Sequence, residues 1–360
     1  ALFGNCRLIG RRFRLAHVRF GNDVIEVATF RAGASLDDED GALDPQGRIL
    51  RDNVYGTIEE DVWRRDFTCN ALYYNIADFS IWDYVDGVRD IDARRLVLIG
   101  DPDQRLREDP VRMLRAVRFA AKLGFTIDPA VGQAIRNNVG LLTNVPAARL
   151  FDEFLKLFSA GSAEATFDLL CEYGLFAKMF PATADEFAID ADFRAFIRAA
   201  LKNTDRRVAD GKSVTPMFLL GVFLWAPVCR VAAMHRETEQ MTDSQSLSLA
   251  AWEVTGEQQR RVSLPKRFTV PMREMMALQP RFYATRGRRA LNLLEHRRFR
   301  AAYDFMMLLA EIGRVDPEIA SFWSEVQSLP TDARRDRFQV QAKARNRRRR
   351  RKQRSGGGDE

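Results

Sequence analysis

The hydrophobic pattern of the chain changes near residue 100. Before that point apolar and polar residues alternate, which predicts strands at residues 12–20, 24–31, 80–85 and 95–99. A hairpin turn is predicted at Gly21-Asn22-Asp23 and a second turn at Asp86-Gly87. After Gly100 the apolar residues recur only at helical spacing. The pattern therefore predicts an α+β fold, in which a strand-rich head precedes an all-helical remainder.

The clearest helix signals lie between Asp109 and Gly124. Asp109 suits the N-cap, Pro110 the first turn and Gly124 the stop. The apolar face of this helix consists of Val111, Leu114, Val117 and Ala121. Its basic face consists of Arg112, Arg115, Arg118 and Lys122. Arg112 stands in the first turn, where the helix dipole disfavours a cation. Its charge indicates either an anionic ligand or an ion pair with Glu108 or Asp109.

Weaker patterns predict the remaining helices. Thr57 opens a capping-box pattern for a helix that runs toward Arg65, and Arg149 and Glu153 have the spacing of an ion pair on another helix. Amphipathic patterns predict helices at residues 163–173, 193–202, 216–228, 243–252, 271–278, 288–312 and 317–329. The apolar run at 217–229 is too short to span a bilayer and contains Pro227. It predicts a buried helix and no membrane segment.

Composition and charge point to a nucleic-acid partner. The 360 residues are 46% apolar, which is enough for two or three packed units. Much of the net charge of +7 comes from residues 341–354, a basic tail whose composition predicts disorder. Such a tail suits RNA binding or, alternatively, only aids solubility. Aromatic Phe282 and Tyr283 are interleaved with arginines, which is typical of single-stranded RNA binding; ordinary surface arginines are the alternative. The predicted RNA-binding residues are Arg281, Arg286, Arg288, Arg289, Arg347, Arg348, Arg349 and Arg350.

Cysteine usage indicates the compartment. The four cysteines, Cys6, Cys69, Cys171 and Cys229, are far apart, and no pair has the spacing of a metal site or of a disulfide framework. That pattern fits a reducing cytosol, and no signal peptide is visible. The sequence therefore predicts a cytoplasmic protein without a histidine- or cysteine-based metal site.

Two stretches carry candidate chemistry. The first is Arg64-Arg65-Asp66-Phe67-Thr68, and the second runs from Glu108-Asp109-Pro110-Val111-Arg112 to Phe119. Arginine forks suit phosphate and ribose oxygens, and an aspartate beside them can hold a ribose hydroxyl or help to place a metal ion. On the residues of the first stretch alone, a helix boundary capped by Asp66 or Thr68 is an equal alternative.

Together the two stretches resemble the motifs of the bacterial poly(A) polymerases and, more distantly, of the tRNA CCA-adding enzymes. The resemblance extends from Phe3 to about Phe305. It implies template-independent transfer of AMP from ATP to an RNA 3′ hydroxyl, with release of pyrophosphate and with Mg²⁺ as the default ion. The partners it implies are ATP and the 3′ ends of mRNA and small RNAs. Protein partners in RNA decay are compatible with it but are not identified by the sequence.

The resemblance also assigns roles to single residues. Glu26 matches a catalytic, metal-binding glutamate of the family, although on its residues alone it is better explained as the edge charge of a strand. Asp66 would be a second catalytic residue, near the ribose and the metal ions. The nucleotide-binding residues would be Arg64, Arg65, Asp109, Arg112 and Arg115. Of these, Asp109 and Arg112 would contact the edge of the base.

The family pattern divides the chain into four segments. It implies a partial polymerase-β-like nucleotidyltransferase palm with a mixed sheet at residues 1–100, a helical neck at 101–160, a helical body at 161–335 and an Arg-rich disordered tail at 336–360. The family's Asp-x-Asp pair beside a glycine-rich loop has no match here. Asp90-Ile91-Asp92 and Asp101-Pro102-Asp103 have the spacing but lack the loop. We therefore expect this chain to begin downstream of two metal-binding carboxylates.

Two alternative functions remain open at this stage. A CCA-adding tRNA nucleotidyltransferase would use the same two motifs but would also require CTP. A non-catalytic RNA-binding fragment would bind RNA in a salt-sensitive way through its basic residues. The sequence flanking the motifs, including the Arg-rich end, resembles the poly(A) polymerases more closely.

Overall fold

Residues 3–9, 15–32, 55–330, 333, 334 and 338 are described by the computed structural model. Their contacts group them into two units. The first comprises the described residues up to Val145 together with Asp168–Lys178, and the second comprises Pro146–Phe167 and the residues from Met179 onward. The four segments suggested by the family pattern stay a prediction, because this division addresses compactness and not function.

The first unit opens with a three-stranded antiparallel sheet. Its strands are β1 (Cys6–Ile9), β2 (Leu15–Phe20) and β3 (Asp23–Val27), in the order β1-β2-β3. Phe20 lies opposite Asp23, so the hairpin turn consists of Gly21, with a φ of 60°, and Asn22. The predicted turn also included Asp23, which is the first residue of β3. β1 was not predicted. Among the side chains of these strands only that of Val18 is buried.

Four short strands complete the β structure of the first unit. β4 (Leu72–Tyr74) pairs antiparallel with β5 (Ile81–Asp83), and β6 (Arg95–Leu96) pairs parallel with β7 (Thr126–Ile127). β7 contradicts the prediction that the strands end at Gly100. A two-residue strand shows no periodicity, and β7 forms because the backbone after Gly124 runs beside β6, where Thr126 N–H donates to Arg94 O at 2.9 Å.

Five helices lie wholly within the described part of the first unit. They are α1 (Ile58–Trp63), α2 (Gly87–Asp92), α3 (Pro102–Glu108), α4 (Val111–Leu123) and α5 (Pro129–Asn138), with 3₁₀ turns at Thr68–Asn70 and Val139–Asn144. At the predicted turn Asp86-Gly87, Asp86 has a left-handed φ of 60°, but Gly87 is already the first residue of α2. Asp83 stabilises this helix start by accepting the N–H groups of Gly87 and Val88 at 2.9 Å.

The ends of α1 and α4 follow their sequence signals. Thr57 and Glu60 form the predicted capping box at the start of α1. α4 begins at Val111, one residue later than predicted, and its N-cap is Pro110 rather than the predicted Asp109. The Asp109 carboxylate accepts the Val111 N–H at 3.2 Å. Gly124 ends α4 with a left-handed φ of 65°, which favours glycine.

The second unit is helical in the part that the structure describes. Its helices are α6 (Ala147–Phe158), α9 (Pro181–Ile189), α10 (Ala191–Ala209), α11 (Pro216–Glu239), α12 (Asp243–Gln258), α13 (Lys266–Ala277), α14 (Arg288–Leu294), α15 (Phe299–Glu311) and α16 (Pro317–Ser328), with a 3₁₀ turn at Gln279–Tyr283. The division between the units falls within α7 (Ala163–Glu172) and α8 (Leu175–Met179). The core of the second unit contains packed aromatic rings, for example those of Phe158 and Phe223, whose centroids are 5.1 Å apart.

α11 is longer than its apolar core suggested. The helix has 24 residues, and by length and composition alone it is apolar enough to cross a bilayer, with a mean hydropathy of 1.9 over 18 residues. Half of that stretch is buried within the protein. Gly221 faces Met272 and Met275 of α13, so close packing against a neighbouring helix accounts for the apolar sequence.

Two other helix predictions need correction. The single helix predicted at 288–312 is two helices, because the backbone turns at residues 295–298, where Nδ1 of His296 accepts the Arg298 N–H at 3.1 Å. α13 begins at Lys266 and contains Pro271 in its interior, whereas the sequence predicted a start at Pro271. Glu153 of α6 bonds to Lys156 at 2.8 Å, and its predicted pairing with Arg149 stays a prediction.

Candidate active site

Asp66 lies where the two sequence motifs meet. Its Oδ1 accepts the Arg112 Nε–H at 2.9 Å, and its Oδ2 lies 2.7 Å from Nη1 of Arg115. Phe67 packs edge-to-face on Phe119 of α4, with ring centroids 5.6 Å apart, and holds the first motif against this helix. Asp66 therefore aligns two guanidinium groups. The stretch does follow the end of α1, but neither Asp66 nor Thr68 is an N-cap, since Thr68 Oγ1 donates to Asp90.

Arg112 is the most buried of these cations. Its side chain is 6% exposed, and its Nη1 donates to Glu108 Oε2 at 3.0 Å and to Arg105 O at 2.6 Å. The ion pair with Glu108 was one of the two predicted alternatives, and the structure confirms it. The second carboxylate, Asp66, was not foreseen because it is 46 residues away in the chain.

The carboxylate of Asp61 on α1 organises the arginines of the first motif. It accepts hydrogen bonds from Arg64 Nε at 3.2 Å, Arg65 Nε at 3.0 Å and Tyr73 Oη at 2.8 Å. Burial raises the pKa of Asp61, but the bonds from Tyr73 and Arg65 outweigh it, so the pKa is lowered overall. Burial and the bond to Asp61 raise the pKa of Tyr73 to about 12. At neutral pH Asp61 is therefore ionised and Tyr73 is a neutral donor.

The remaining acidic residues near the motifs have structural partners. Asp90 is buried, accepting from Thr68 Oγ1 at 2.9 Å and from Arg95 Nη2 at 2.9 Å. Asp101 caps α3 through Gln104 N–H, and Asp103 accepts from Asn138 Nδ2 at 2.6 Å. These bonds give structural roles to Asp90, Asp101 and Asp103, whereas Asp92 is exposed at the end of α2. Asp109 is half-buried at the start of α4, one turn before Arg112.

Glu26 has a different setting. It lies on β3 opposite His17 of β2, its Oε1 is 3.2 Å from His17 Nε2, and its side chain is 63% exposed. Among the described residues no group of three or more His, Cys, Asp or Glu could hold a metal ion, and both oxygens of Asp66 are taken by arginines. The described residues therefore do not by themselves form a complete Mg²⁺ site.

Comparison with known proteins identifies the family. The chain is 46% identical over 339 residues to poly(A) polymerase I of Escherichia coli O157:H7, covering 92% of this chain and 73% of that protein. It is 43% identical over 343 residues to poly(A) polymerase I of Haemophilus influenzae, covering 94% and 76%. The chain belongs to the bacterial poly(A) polymerase I family. It is thus a nucleotidyltransferase, as its two motifs predicted.

Sequence profiles of the poly(A) polymerase family match three parts of the chain. Residues 1–97 match the poly A polymerase head domain, and residues 124–187 match the probable RNA and SrmB-binding site of polymerase A. Residues 239–355 match the arginine-rich C-terminus of polymerase A. The Bacillus subtilis CCA-adding enzyme is a more distant relative, at 33% identity over 171 residues, which cover 48% of this chain and 41% of that enzyme.

Solved structures support the fold of this poly(A) polymerase family member. The Bacillus stearothermophilus CCA-adding enzyme in complex with CTP superposes with a TM-score of 0.52 at 22% identity, over 90% of this chain and 70% of that one. A tRNA nucleotidyltransferase complexed with a primer tRNA and an incoming ATP analogue gives a TM-score of 0.52 at 20% identity, over 89% and 82%. The predicted fold class, a nucleotidyltransferase head followed by helices, is confirmed.

The predicted RNA-binding arginines belong to the second unit. Arg281 lies in the 3₁₀ turn at Gln279–Tyr283, Arg286 follows in the loop, and Arg288 and Arg289 begin α14. Arg286, Arg288 and Arg289 are exposed, and Arg281 is partly buried. Phe282 is not available for stacking, because it is fully buried against Trp323, whereas Tyr283 is 57% exposed. Arg347, Arg348, Arg349 and Arg350 lie outside the described residues.

Sequence reasoning missed the residues that hold the arginines in place. Asp61 and Tyr73 hold the arginines of the first motif, and Arg105 connects the two motifs. Each looks like an ordinary helix or strand residue in the sequence. Only the capping pattern around Glu60 hinted at Asp61, since it fixes the helix on which Asp61 stands. Asp66, Arg112 and Arg115 are brought together as expected of a common site, and no described contact joins Glu26 to them.

Proposed function

We propose that the protein adds adenylate residues from ATP to the 3′ hydroxyl of RNA without a template, with release of pyrophosphate. The observation that carries the proposal is the double ion pair of Asp66. Its two oxygens lie 2.9 and 2.7 Å from Arg112 and Arg115 and hold these arginines side by side. Membership of the poly(A) polymerase I family supports the same reaction.

Arg112 is oriented for reading a base. Asp66, Glu108 and the Arg105 carbonyl engage its Nε and Nη1, while its Nη2 has no hydrogen bond to any residue that the structure describes. In the proposed complex Nη2 donates to an adenine ring nitrogen, and Asp109, one turn earlier, accepts from the adenine amino group. A matched donor and acceptor of this kind discriminates between bases by about 1–3 kcal/mol.

The charge of the network suits a polyphosphate. The guanidinium groups of Arg64, Arg65, Arg105, Arg112 and Arg115 share the carboxylates of Asp61, Asp66 and Glu108, so cations outnumber anions by two. Arg115 is 38% exposed and uses one nitrogen for Asp66, which leaves its other donors for a ligand. Such forks bind phosphate oxygens in pairs. We assign Arg64, Arg65 and Arg115 to the phosphate and ribose groups of ATP.

The metal requirement is a separate part of the proposal. Nucleotidyltransferases in general use divalent ions, and Mg²⁺ is the ion we propose because it binds substrate phosphates through few protein ligands. Glu26 would contribute one carboxylate, and Asp66 would act from beside the ribose. Since the described residues do not form a complete donor set, we derive no chemical step through the ion.

The proposal also covers the RNA substrate and the cellular location of the protein. The exposed arginines and Tyr283 would contact the RNA strand, and mRNA and small RNA 3′ ends are the proposed substrates, with proteins of RNA decay as partners. The four cysteines are free thiols, which supports a reducing, cytoplasmic location. Fractionation of cells followed by immunoblotting tests the location.

An extension assay tests the reaction. The full-length protein is incubated with a short unstructured RNA, Mg²⁺ and either ATP or CTP, beside Asp66→Ala and Arg112→Ala variants. Arg107→Ala is the matched control, because Arg107 is an exposed neighbour on α3. Long products from ATP alone, lost in both site variants and kept in the control, support the proposal. A CTP requirement with a short fixed product indicates CCA addition, and RNA binding without extension leaves a binding protein.

A further inference from the structure

Arg105 of α3 is a nearly buried cation that lies outside the two sequence motifs. Its side chain is 11% exposed, and its Nη1 lies 2.8 Å from Glu108 Oε2. Its Nη2 donates to the carbonyl oxygens of Arg64 at 3.0 Å and Arg65 at 2.7 Å. Burial, followed by the charge of Arg112, lowers the pKa of Arg105. A cation kept in such a place requires fixed partners, and each of its contacts leads to the candidate active site.

The two carbonyl contacts determine where Asp66 stands. Arg64 is the C-cap of α1, so the carbonyls at this helix end lack partners within the helix. Arg105 supplies a charged donor to two of them in succession. The next residue is Asp66, whose own carbonyl accepts the Ile99 N–H at 3.0 Å. The backbone on both sides of the Asp66 side chain is therefore anchored.

Arg105 also defines the position of Arg112. Glu108 Oε2 accepts from both Arg105 Nη1 and Arg112 Nη1, at 2.8 and 3.0 Å. The Arg105 carbonyl accepts a further bond from Arg112 Nη1 at 2.6 Å. The same residue thus fixes Asp66 through the backbone and Arg112 through a shared carboxylate and its own carbonyl.

We propose that Arg105 is a positioning residue for nucleotide selection, which sets the Asp66–Arg112 pair in register for the incoming nucleotide. The inference rests on the proposed function, because it assigns base reading to Arg112. Arg105 acts only through these two residues and contacts no substrate. Lysine cannot replace it, because one ammonium cannot span two carbonyls and a carboxylate with the planar geometry of a guanidinium.

Steady-state kinetics of the full-length protein with ATP and with CTP test the inference. In Arg105→Lys the KM for ATP is expected to rise about tenfold and the preference for ATP over CTP to fall about tenfold, while kcat and RNA affinity change less than about threefold. Arg107→Lys, on the exposed side of the same helix, should match the wild type in all four quantities.

Further measurements separate positioning from a loss of folding. Arg105→Gln keeps an amide donor for the carbonyls and serves as the second variant if Arg105→Lys does not fold. In the double variant Arg105→Lys/Arg112→Lys the effects on kcat/KM should be strongly non-additive, because both act on one network. Additive effects, or an Arg105 variant with unchanged ATP over CTP preference, overturn the inference. Wild-type protein that adds no nucleotide from ATP overturns the proposed function itself.

Discussion

Asp66 and Arg112 are 46 residues apart in the chain, yet their side chains form an ion pair at 2.9 Å in which neither group is freely hydrated. The same aspartate holds Arg115, and the same arginine bonds to Glu108. The pair therefore joins the two motifs of the chain into one network. Isosteric substitutions can measure separately what the pair contributes to the free energy of unfolding and to nucleotide binding.

The first prediction concerns Asp66→Asn. The amide keeps the shape of the side chain but leaves Arg112 and Arg115 without their shared anion, so the free energy of unfolding should fall by about 3 kcal/mol. The kcat/KM for ATP should fall about 10²-fold, because the arginines lose their orientation. Urea unfolding and extension kinetics measure the two effects. Asp92→Asn, at an exposed site on α2, should change neither, and equal behaviour of the two variants would falsify the role given to Asp66.

The second prediction concerns the pH dependence contributed by Asp61. Its pKa is lowered in the folded protein, so its stabilisation is present above the unfolded pKa of about 3.9 and is lost as the pH falls through the folded value. Asp61→Asn should therefore be less stable than the wild type at pH 7, by about 1–3 kcal/mol given that Arg65 is 44% exposed. The difference should shrink below about pH 4.

Urea midpoints at pH 7, 5, 4 and 3 check this dependence. Asp92→Asn again serves as the control, and its midpoint should follow that of the wild type at every pH. A gap between wild type and Asp61→Asn that stays constant down to pH 3 would show that the ionisation of Asp61 is not the source of its stabilisation. Tyr73→Phe should shift the acid limb upward in pH, because it removes the hydroxyl donor that lowers the pKa of Asp61.

The sequence predicted the local features of this fold better than its long-range contacts. Gly124 and Thr57 marked helix ends correctly, because capping depends on residues within one turn. β7 and the break between α14 and α15 were missed, because the first is too short for periodicity and the amphipathic pattern continues through the second.

The candidate site shows the same division. Arg112 was singled out because its charge opposes the helix dipole, and an ion pair with Glu108, four residues away, was within reach of that reasoning. The ion pair of Arg112 with Asp66 depends on how α4 packs against the segment that follows α1. The bonds of Arg105 to the Arg64 and Arg65 carbonyls depend on how α3 packs against the same segment. No spacing rule covers such contacts.

The third prediction separates two adjacent aromatic residues. Phe282 is fully buried against Trp323, so Phe282→Ala should lower the free energy of unfolding by about 3–5 kcal/mol. Tyr283 is exposed, so Tyr283→Ala should leave stability unchanged but weaken binding of single-stranded RNA by about 1–3 kcal/mol, roughly 5- to 150-fold. Thermal melting and fluorescence titration with a labelled oligonucleotide measure the two. Unchanged RNA affinity in Tyr283→Ala would remove Tyr283 from the RNA surface.

The fourth prediction concerns Gly87, the first residue of α2. A Cβ at this position would overlap the carbonyl oxygen of Thr68 and lie 3.0 Å from its carbonyl carbon, so Gly87→Ala must displace the backbone two residues after Asp66. Overpacking of this kind costs about 1–3 kcal/mol, and the moved loop should raise the KM for ATP several-fold. Gly140→Ala is the matched control, because a Cβ there meets nothing within 4 Å. If both variants keep the wild-type KM while only Gly87→Ala loses stability, the Thr68 backbone supports the fold without setting the position of Asp66.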